Sequence, residues 1–282
     1  MQLVKLPKTM QRICGELRRK GKSIGLVPTM GYLHEGHLSL VRIAKKRSDV
    51  LVVSVFVNPT QFGPKEDFQN YPRDFKRDKL LLEEEGCDFV FAPRMKDMYP
   101  EGYLTHVAVD RITGKLEGQT RPTHFRGVTT IVAKLFNIVQ PDIAVFGQKD
   151  AQQAVVLKKM VDDLNYGIKM IIAPTIREKD GLALSSRNRY LSEEERKQAA
   201  ALYESLREAK RLISGGERSV SRIASRMRGL ISRQPSAELD YIAITDARTL
   251  EPLNRLKSQV LISLAVRFGK ARLIDNIKVK VN

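Results

Sequence analysis

The stretch PTMGYLHEGHLSL places two histidines three positions apart at a predicted strand-to-helix turn. His34 and His37 could bind a metal, bind a phosphate, or only cap and pack. The zinc-protease pattern requires two histidines four positions apart on a mid-helix face, and this pair is one residue short. A helix N-terminus instead offers N–H groups and positive potential to a phosphate, and Gly31 and Gly36 let a ligand approach closely. The spacing therefore favours phosphate over zinc, and the structural role stays open.

Polar or glycine-rich residues follow three further predicted strands: NPTQF at 58–62, GQKD at 147–150 and the segment 176–192. Because the carboxyl ends of parallel strands lie at one edge of an open sheet, we expect a single site there. Lys149 could place a point charge on a phosphate. The run Ser185, Ser186 and Arg187 offers donors suited to a triphosphate whose charge shifts during reaction.

Several polar residues at these strand ends also have a structural interpretation. Asp150 could cap the helix that follows it. The run SSRN at 185–188 could be a surface turn. Gln61 and Gln153 could bind a hydroxylated substrate or could be solvated amides.

Strand and helix patterns alternate through the first 175 residues. DVLVVSVFVNP is a continuous β-branched run, typical of a strand buried on both faces, and HLSLVRIAKKRS has helical spacing. This alternation predicts a parallel sheet with helices on its faces. From about residue 178 two predicted helices precede three predicted strands, which indicates an α+β region. We therefore predict a first domain at 1–177 and a smaller second domain at 178–282.

Composition limits the classes of protein that remain. The 282 residues contain no run of 18 apolar residues, and the N-terminal apolar residues have helical spacing rather than that of a signal peptide. The two cysteines, Cys14 and Cys87, are far apart, which indicates reduced thiols in a cytosolic protein. The net charge of +17 raises nucleic-acid binding as an alternative. The charge is spread along the chain, however, and a protein that handles anionic small molecules would share it.

Five ordered motifs resemble those of the pantoate–β-alanine ligase family, the pantothenate synthetases. They are PTMGYLHEGHLSLVR, VSVFVNPTQFGPKEDFQNYPR, RPTHFRGV, FGQKDAQQ and PTIREKDGLALSSRNRYLS, within residues 24–192. The His-Glu-Gly-His element alone would be less specific, because class I aminoacyl-tRNA synthetases and nucleotidylyltransferases share its pattern. Another nucleotidyl-transferring enzyme on the same scaffold is therefore the nearest alternative.

The resemblance implies a fold, a reaction and partners. The fold is a Rossmann-like parallel sheet of the class I nucleotidylyltransferase type, which binds ATP and pantoate, with a smaller α+β lid domain. The reaction condenses (R)-pantoate with β-alanine at the expense of ATP, through pantoyl adenylate, giving pantothenate, AMP and pyrophosphate. It requires Mg²⁺. The resemblance further implies a cytoplasmic homodimer with no nucleic-acid or membrane partner.

The resemblance also implies roles for individual residues. His37 would be a proton donor, with His34 and Lys149 on the phosphates, Gln61 on pantoate and β-alanine, and Gln153 on pantoate. Asp78 would be a Mg²⁺ ligand. ATP would contact Met30, Gly31, Tyr32, Leu33, His34, Glu35, Gly36, His37, Gly147, Gln148, Lys149, Asp150, Ile176, Leu184, Ser185, Ser186 and Arg187. Ile176 and Leu184 stand where many relatives have valine and methionine, and Thr123 stands where glycine is common.

Overall fold

The computed structural model describes residues 1–64 and 66–281. The chain divides into two compact units. The first comprises Met1–Gly147 and Gln153–Pro174, and the second comprises Gln148–Gln152 and Thr175–Asn282. Among the helices of the described residues, none combines the length and the hydropathy of a membrane-spanning segment.

The first unit is built on a parallel sheet in the order β1-β4-β3-β2-β5-β6. Its strands are β1 (Gln2–Val4), β2 (Ile24–Thr29), β3 (Val50–Val55), β4 (Phe89–Phe91), β5 (Ile143–Gly147) and β6 (Lys169–Ala173). The chain builds outward from β2 through β3 and β4, then returns to β5 on the other side of β2. The strand order therefore reverses between β2 and β5, which is where open parallel sheets bind ligands.

Seven helices connect the described strands of this sheet or follow them. They are α1 (Pro7–Arg19), α2 (Glu35–Lys45), α3 (Phe75–Glu84), α4 (Met95–Met98), α5 (Glu117–Thr120), α6 (His124–Val139) and α7 (Ala151–Asp163).

Successive residues of β2 enter different apolar cores. Leu26 lies in a core with Met10 of α1 and Phe136 of α6. Val27 lies in a core with Val41 of α2 and with residues of α3. Because strand side chains alternate between faces, both faces of the sheet are covered, which explains the continuous apolar runs of its strands.

The second unit contains an antiparallel sheet in the order β7-β8-β9. The strands are β7 (Ala237–Asp246), β8 (Gln259–Phe268) and β9 (Ala271–Lys280), and the helices are α8 (Glu193–Gln198), α9 (Ala201–Ser214) and α10 (Val220–Ile231). Leu206 of α9 and Ile223 of α10 share a core with Ile262 and Phe268 of β8. The predicted fold class, a parallel α/β sheet followed by a smaller α+β part, is confirmed.

Two local differences from the sequence pattern stand out. The first of the two helices predicted after residue 178 reads in the sequence as one helix opened by Ser192, but it is divided into α8 and α9. The N–H of Leu202 bonds the carbonyl of Ala199 only three residues back and tightens the chain between them. The pattern also did not predict β1, a three-residue strand that pairs with β4. Only one of its residues is buried, so it carries no apolar run.

Candidate active site

The turn after β2 is held by its own main chain. Gly31 and Tyr32 adopt φ values of 81° and 52°, in the region that favours glycine. At Gly31 a side chain is also excluded by space, since a Cβ there would lie 2.9 Å from Oδ2 of Asp78. The hydroxyl of Thr29 accepts the N–H of Gly31 at 3.2 Å and donates to the carbonyl of Ser54 on β3 at 2.7 Å. The predicted glycine in the turn is therefore a geometric necessity.

Asp78, on the first turn of α3, completes this turn from 45 residues away. Its two carboxylate oxygens accept the main-chain N–H groups of Tyr32 at 2.8 Å and Leu33 at 2.7 Å. Burial raises the pKa of this carboxyl, whereas the two N–H donors oppose the shift. Asp78 therefore fixes the path of the chain directly before His34.

His34 and His37 cap α2 reciprocally. His34 is the N-cap residue, and its Nδ1 accepts the N–H of Gly36 at 3.1 Å. Nδ1 of His37 accepts the N–H of His34 at 3.3 Å. The two rings lie 4.1 Å apart between centroids. The pair thus occupies the positions that serine and glutamate take in an ordinary capping box.

This geometry fixes which ring nitrogen carries the proton. A nitrogen that accepts a hydrogen bond has no proton, so a neutral ring with Nδ1 accepting carries its hydrogen on Nε2. His34 and His37 are both in this tautomer when neutral. Each therefore presents Nε2 as a donor, which is the role a phosphate oxygen requires.

The turn after β3 is organised by Asn58, which is 1% exposed. Its amide donates to Oε1 of Gln61 at 3.2 Å and to the carbonyl of Gly127 at 3.1 Å. Its oxygen accepts the hydroxyls of Thr60 at 3.0 Å and Tyr99 at 2.8 Å. Burial raises the pKa of Tyr99 to about 12, which keeps its hydroxyl a donor. These bonds orient the amide of Gln61, the predicted pantoate-binding residue.

Gln61 also contacts two other elements of the first unit. Its Nε2 lies 2.8 Å from Sδ of Met30, which brings two predicted site residues together. Its main-chain carbonyl accepts Nδ1–H of His124 at 2.8 Å and an N–H of the Arg121 guanidinium at 3.3 Å. Arg121 in turn pairs with Glu66. Gln153, the other predicted pantoate ligand, is half-buried in the first turn of α7.

Sequence reasoning gave no role to Asn58, Tyr99, Arg121 or His124. The sequence carries a signal for them, since NPTQF and RPTHFRGV lie in two of the five motifs and residues 94–122 are a long connection between predicted strands. The structure places all four around the turn that carries Gln61. Thr123 has φ −94°, so the departure from glycine at this position requires no left-handed backbone.

In the second unit, residues 148–150 form a short 3-10 turn directly after β5. The ammonium of Lys149 lies 3.1 Å from the carboxylate of Asp150. Asn276 of β9 donates to the carbonyls of Gln148 and Lys149 at 3.0 and 2.8 Å. The backbone that carries the predicted phosphate clamp is therefore tied to β9.

The segment 176–190 forms a small hairpin and turn in the same unit. The N–H of Leu184 bonds the carbonyl of Ile176 at 3.0 Å, which pairs two residues predicted to contact ATP. Ser185 then caps a 3-10 helix, Ser186–Tyr190, by accepting the N–H of Arg187 at 3.3 Å. The amide of Asn188 donates to the carbonyl of Ala183 at 3.1 Å. The predicted loop thus has a defined, hydrogen-bonded shape.

A protein-held magnesium ion does not fit the residues around Asp78. Mg²⁺ requires near-octahedral oxygen ligands and keeps several waters. Asp78 is 1% exposed and both of its oxygens accept main-chain N–H groups. Among residues 1–64 and 66–281, no group of three or more His, Cys, Asp or Glu side chains could hold a metal ion. The assignment of Asp78 to magnesium stays a prediction from the resemblance alone.

Comparison with known proteins gives a consistent result. The family described as pantoate-beta-alanine ligase matches residues 2–278. A pantothenate synthetase of Moorella thermoacetica is 54% identical over 282 residues, covering 100% of both chains. A pantothenate synthetase structure from Thermus thermophilus has a TM-score of 0.93 and 46% identity, covering 98% of this chain and 99% of that one.

A third relative is a ligand complex. The pantoate-beta-alanine ligase of Francisella tularensis, solved with beta-gamma ATP and beta-alanine, has a TM-score of 0.81 and 36% identity. The alignment covers 98% of this chain and 97% of that one. Since both the sequence match and the structural match extend over nearly the whole length, the chain belongs to the pantoate–β-alanine ligase family.

Proposed function

We propose that the protein condenses (R)-pantoate with β-alanine at the expense of ATP, giving pantothenate, AMP and pyrophosphate. The observation that carries the proposal is the family match across residues 2–278. The related Francisella tularensis enzyme, solved with an ATP compound and beta-alanine, supports these two substrates for this chain.

The reaction runs in two displacements. A carboxylate oxygen of pantoate attacks the α-phosphorus of ATP, the bond from that phosphorus to the bridging oxygen breaks, and pyrophosphate leaves. The amine of β-alanine then attacks the acyl carbon of pantoyl adenylate. The carbon–oxygen bond to AMP breaks, and the nitrogen loses a proton as the amide forms. Both nucleophiles belong to substrates, so the protein must position them and stabilise charge on the phosphates.

The two capping histidines suit the first displacement. Their Nε2–H groups would donate to oxygens of the triphosphate, with His37 on the bridging oxygen or the leaving pyrophosphate, where negative charge grows. The N-terminus of α2 adds positive potential at the same turn. Met30 to His37 would surround ATP, and Gln61, oriented by Asn58, would hold pantoate and later β-alanine. Gln153 would complete the pantoate site.

The second unit would supply the remaining phosphate contacts. Lys149 would place its charge on a phosphate, and Gly147, Gln148 and Asp150 would line ATP beside it. Ile176 would lie on the adenine side. Leu184, Ser185, Ser186 and Arg187 would form the loop that follows the phosphates as their charge shifts. We propose residues 1–177 as the ATP- and pantoate-binding domain and 178–282 as a lid.

The family resemblance supports three further proposals. The protein would act in the cytoplasm and as a homodimer. Sedimentation velocity of the purified chain would test the homodimer. Magnesium would be required for turnover, and titration with a chelator would test that requirement. Because Asp78 does not fit a magnesium site, the roles assigned above use only the side chains of the protein.

The deciding experiment measures AMP while each substrate is omitted in turn. We expect AMP only when ATP, pantoate and β-alanine are all present, and pyrophosphate up to one equivalent per enzyme when β-alanine is missing. AMP formed without pantoate, or turnover that β-alanine does not promote, would refute the assignment. Salt-sensitive RNA or DNA binding without nucleotide turnover would indicate the nucleic-acid alternative.

A further inference from the structure

Two consecutive residues of β9 hold the two nucleotide-binding segments of the second unit. Asn276 is 4% exposed, and its Nδ2 donates to the carbonyls of Gln148 and Lys149 at 3.0 and 2.8 Å. Its Oδ1 accepts Nε2–H of Gln148 at 2.9 Å. Because two carbonyls can only accept, they require the NH₂ group at this point and no other orientation of the amide.

Asp275 holds the second segment. Its carboxylate forms a two-pronged pair with the guanidinium of Arg177, at 2.6 and 2.9 Å. Asp275 is 1% and Arg177 15% exposed at the side chain. Arg177 also donates to the carbonyl of Gly181 at 3.0 Å and lies over the ring of Tyr203, 3.9 Å from its centroid. The hairpin that leads from Ile176 to Leu184 is thereby fixed to β9.

The geometry of a strand explains how neighbouring residues can hold different segments. Successive side chains of β9 point to opposite faces. Leu273 and Val279, which share the parity of Asp275, pack into the apolar core of the second unit. Asn276 points the other way, toward residues 148–149. One peptide unit of β9 therefore sets the position of the GQKD segment relative to the hairpin.

Stability alone does not account for this arrangement. Replacing a buried ion pair by packed apolar residues is often neutral or stabilising, so the Arg177–Asp275 pair is weak evidence for a stabilising role. What the pair and the amide provide is direction, since a two-pronged pair and a doubly donating amide each permit only one geometry. The amide is directed at the main chain of Gln148 and Lys149, and the pair holds Arg177 in the hairpin that joins Ile176 to Leu184.

We infer that Asp275 and Asn276 are positioning residues that fix Lys149 and the 184–187 loop relative to each other for the adenylation step. The inference rests on the proposed function and deepens it. A displacement of a reacting group by about 1 Å can cost on the order of 100-fold in rate. Loss of either contact should therefore slow attack on the α-phosphate, while the later attack by β-alanine is spared.

The first test replaces Asn276 by aspartate, which has the same shape. Asn276→Asp puts a carboxylate oxygen against two carbonyl oxygens, so it removes the donors without making a cavity. We expect kcat/KM for ATP to fall by about 10- to 100-fold. Since β-alanine enters after pyrophosphate leaves, its own kcat/KM reports the later step, and we expect that value to stay within about threefold.

The second test compares two charge removals in the same sheet. Asp275→Asn breaks the ion pair with Arg177. The control, Asp240→Asn, breaks the ion pair between Asp240 of β7 and Arg272 of β9, which is 2.7 Å long. Only the first should lower kcat/KM for ATP, by about tenfold or more. If Asp275→Asn does not fold, Arg177→Lys keeps the charge but loses the two-pronged geometry, and we expect a several-fold fall.

The outcomes separate this inference from the proposed function. Wild-type protein that forms no AMP from the three substrates would overturn both. An active wild type with an unchanged Asn276→Asp variant would overturn the inference alone. Equal losses in Asp240→Asn and Asp275→Asn, following their melting temperatures, would also overturn it by indicating general destabilisation. Losses confined to ATP in the Asn276 and Asp275 variants would support it.

Discussion

The histidine pair of α2 permits a substitution that separates capping from chemistry. Each ring uses Nδ1 to accept a main-chain N–H and presents its hydrogen on Nε2. An asparagine oxygen lies at about the position of Nδ1 and can accept the same N–H. It has no group at the position of Nε2. His34→Asn and His37→Asn should therefore keep the cap and lose the donor, whereas alanine would lose both.

The expected magnitudes differ enough to be resolved. Loss of a cap costs about 1 kcal/mol of unfolding free energy. In a chain of 282 residues this corresponds to a shift of about 2–4 °C in Tm. Loss of one donor to developing charge costs about 10²–10³ in kcat. Asparagine is among the preferred N-cap residues, so we expect His34→Asn to melt at or above the wild-type temperature.

The assay combines thermal unfolding with the rate of pyrophosphate release in single turnovers of ATP and pantoate. We expect His37→Asn to melt within about 2 °C of wild type and to release pyrophosphate on the order of 100-fold more slowly. The matched variant His37→Gln carries an amide near the position of Nε2, and glutamine also closes a capping box at this position, so it should keep the cap and recover part of the rate. A His37→Asn variant with the wild-type rate would refute the donor role and leave His37 a capping residue.

Three other substitutions test contacts around the site and in the second unit. Asp78→Asn turns one of two N–H···O bonds into a donor–donor contact, so we expect urea unfolding to show a loss of about 1.5–3 kcal/mol and a raised KM for ATP. Gly127→Ala should lower kcat/KM for pantoate by about tenfold or more, despite the better helix propensity of alanine. The Cβ of alanine would lie 2.3 Å from the main-chain oxygen of Thr60, in the turn before Gln61. An unchanged kcat/KM would show that α6 shifts to accommodate the methyl group. Hydrogen bonds from Arg211 and Arg226 lower the pKa of Glu208 from 4.5 to about 2, so its contribution to stability is present above pH 4.5 and is lost toward pH 2. Glu208→Gln should therefore show a smaller fall in Tm between pH 6 and pH 3 than wild type does.

The sequence predicted the parts of the fold that depend on local patterns. Alternating apolar runs and helical spacings identified the parallel sheet, and the Gly31 turn followed from its position between β2 and α2. The extent of α2 shows the limit of such patterns. Its apolar spacing begins at Leu38, whereas the helix begins at Glu35. The sequence pattern misses this first turn because the cap is formed by histidines rather than by the residues that usually mark a helix start.

The contacts that shape the site could not be predicted, because their partners are distant along the chain. Asp78 bonds the turn before His34 across 45 residues, Asn58 bonds Gly127 across 69, and Asn276 bonds Lys149 across 127. Each is a short polar side chain that a sequence presents as solvated or as a turn former.

These three residues share one physical task, which explains why each is a short side chain that ends in a carboxylate or an amide. Loops at strand ends leave main-chain donors and acceptors without a sheet partner, and a buried one must be bonded. Asp78 supplies only acceptors and meets two N–H groups, whereas Asn276 uses both of its donors on two carbonyls. The identity of the side chain is therefore set by the polarity of the backbone that it holds. For the same reason, an exchange of aspartate and asparagine at Asp78 or Asn276 should cost more than its nearly unchanged volume implies.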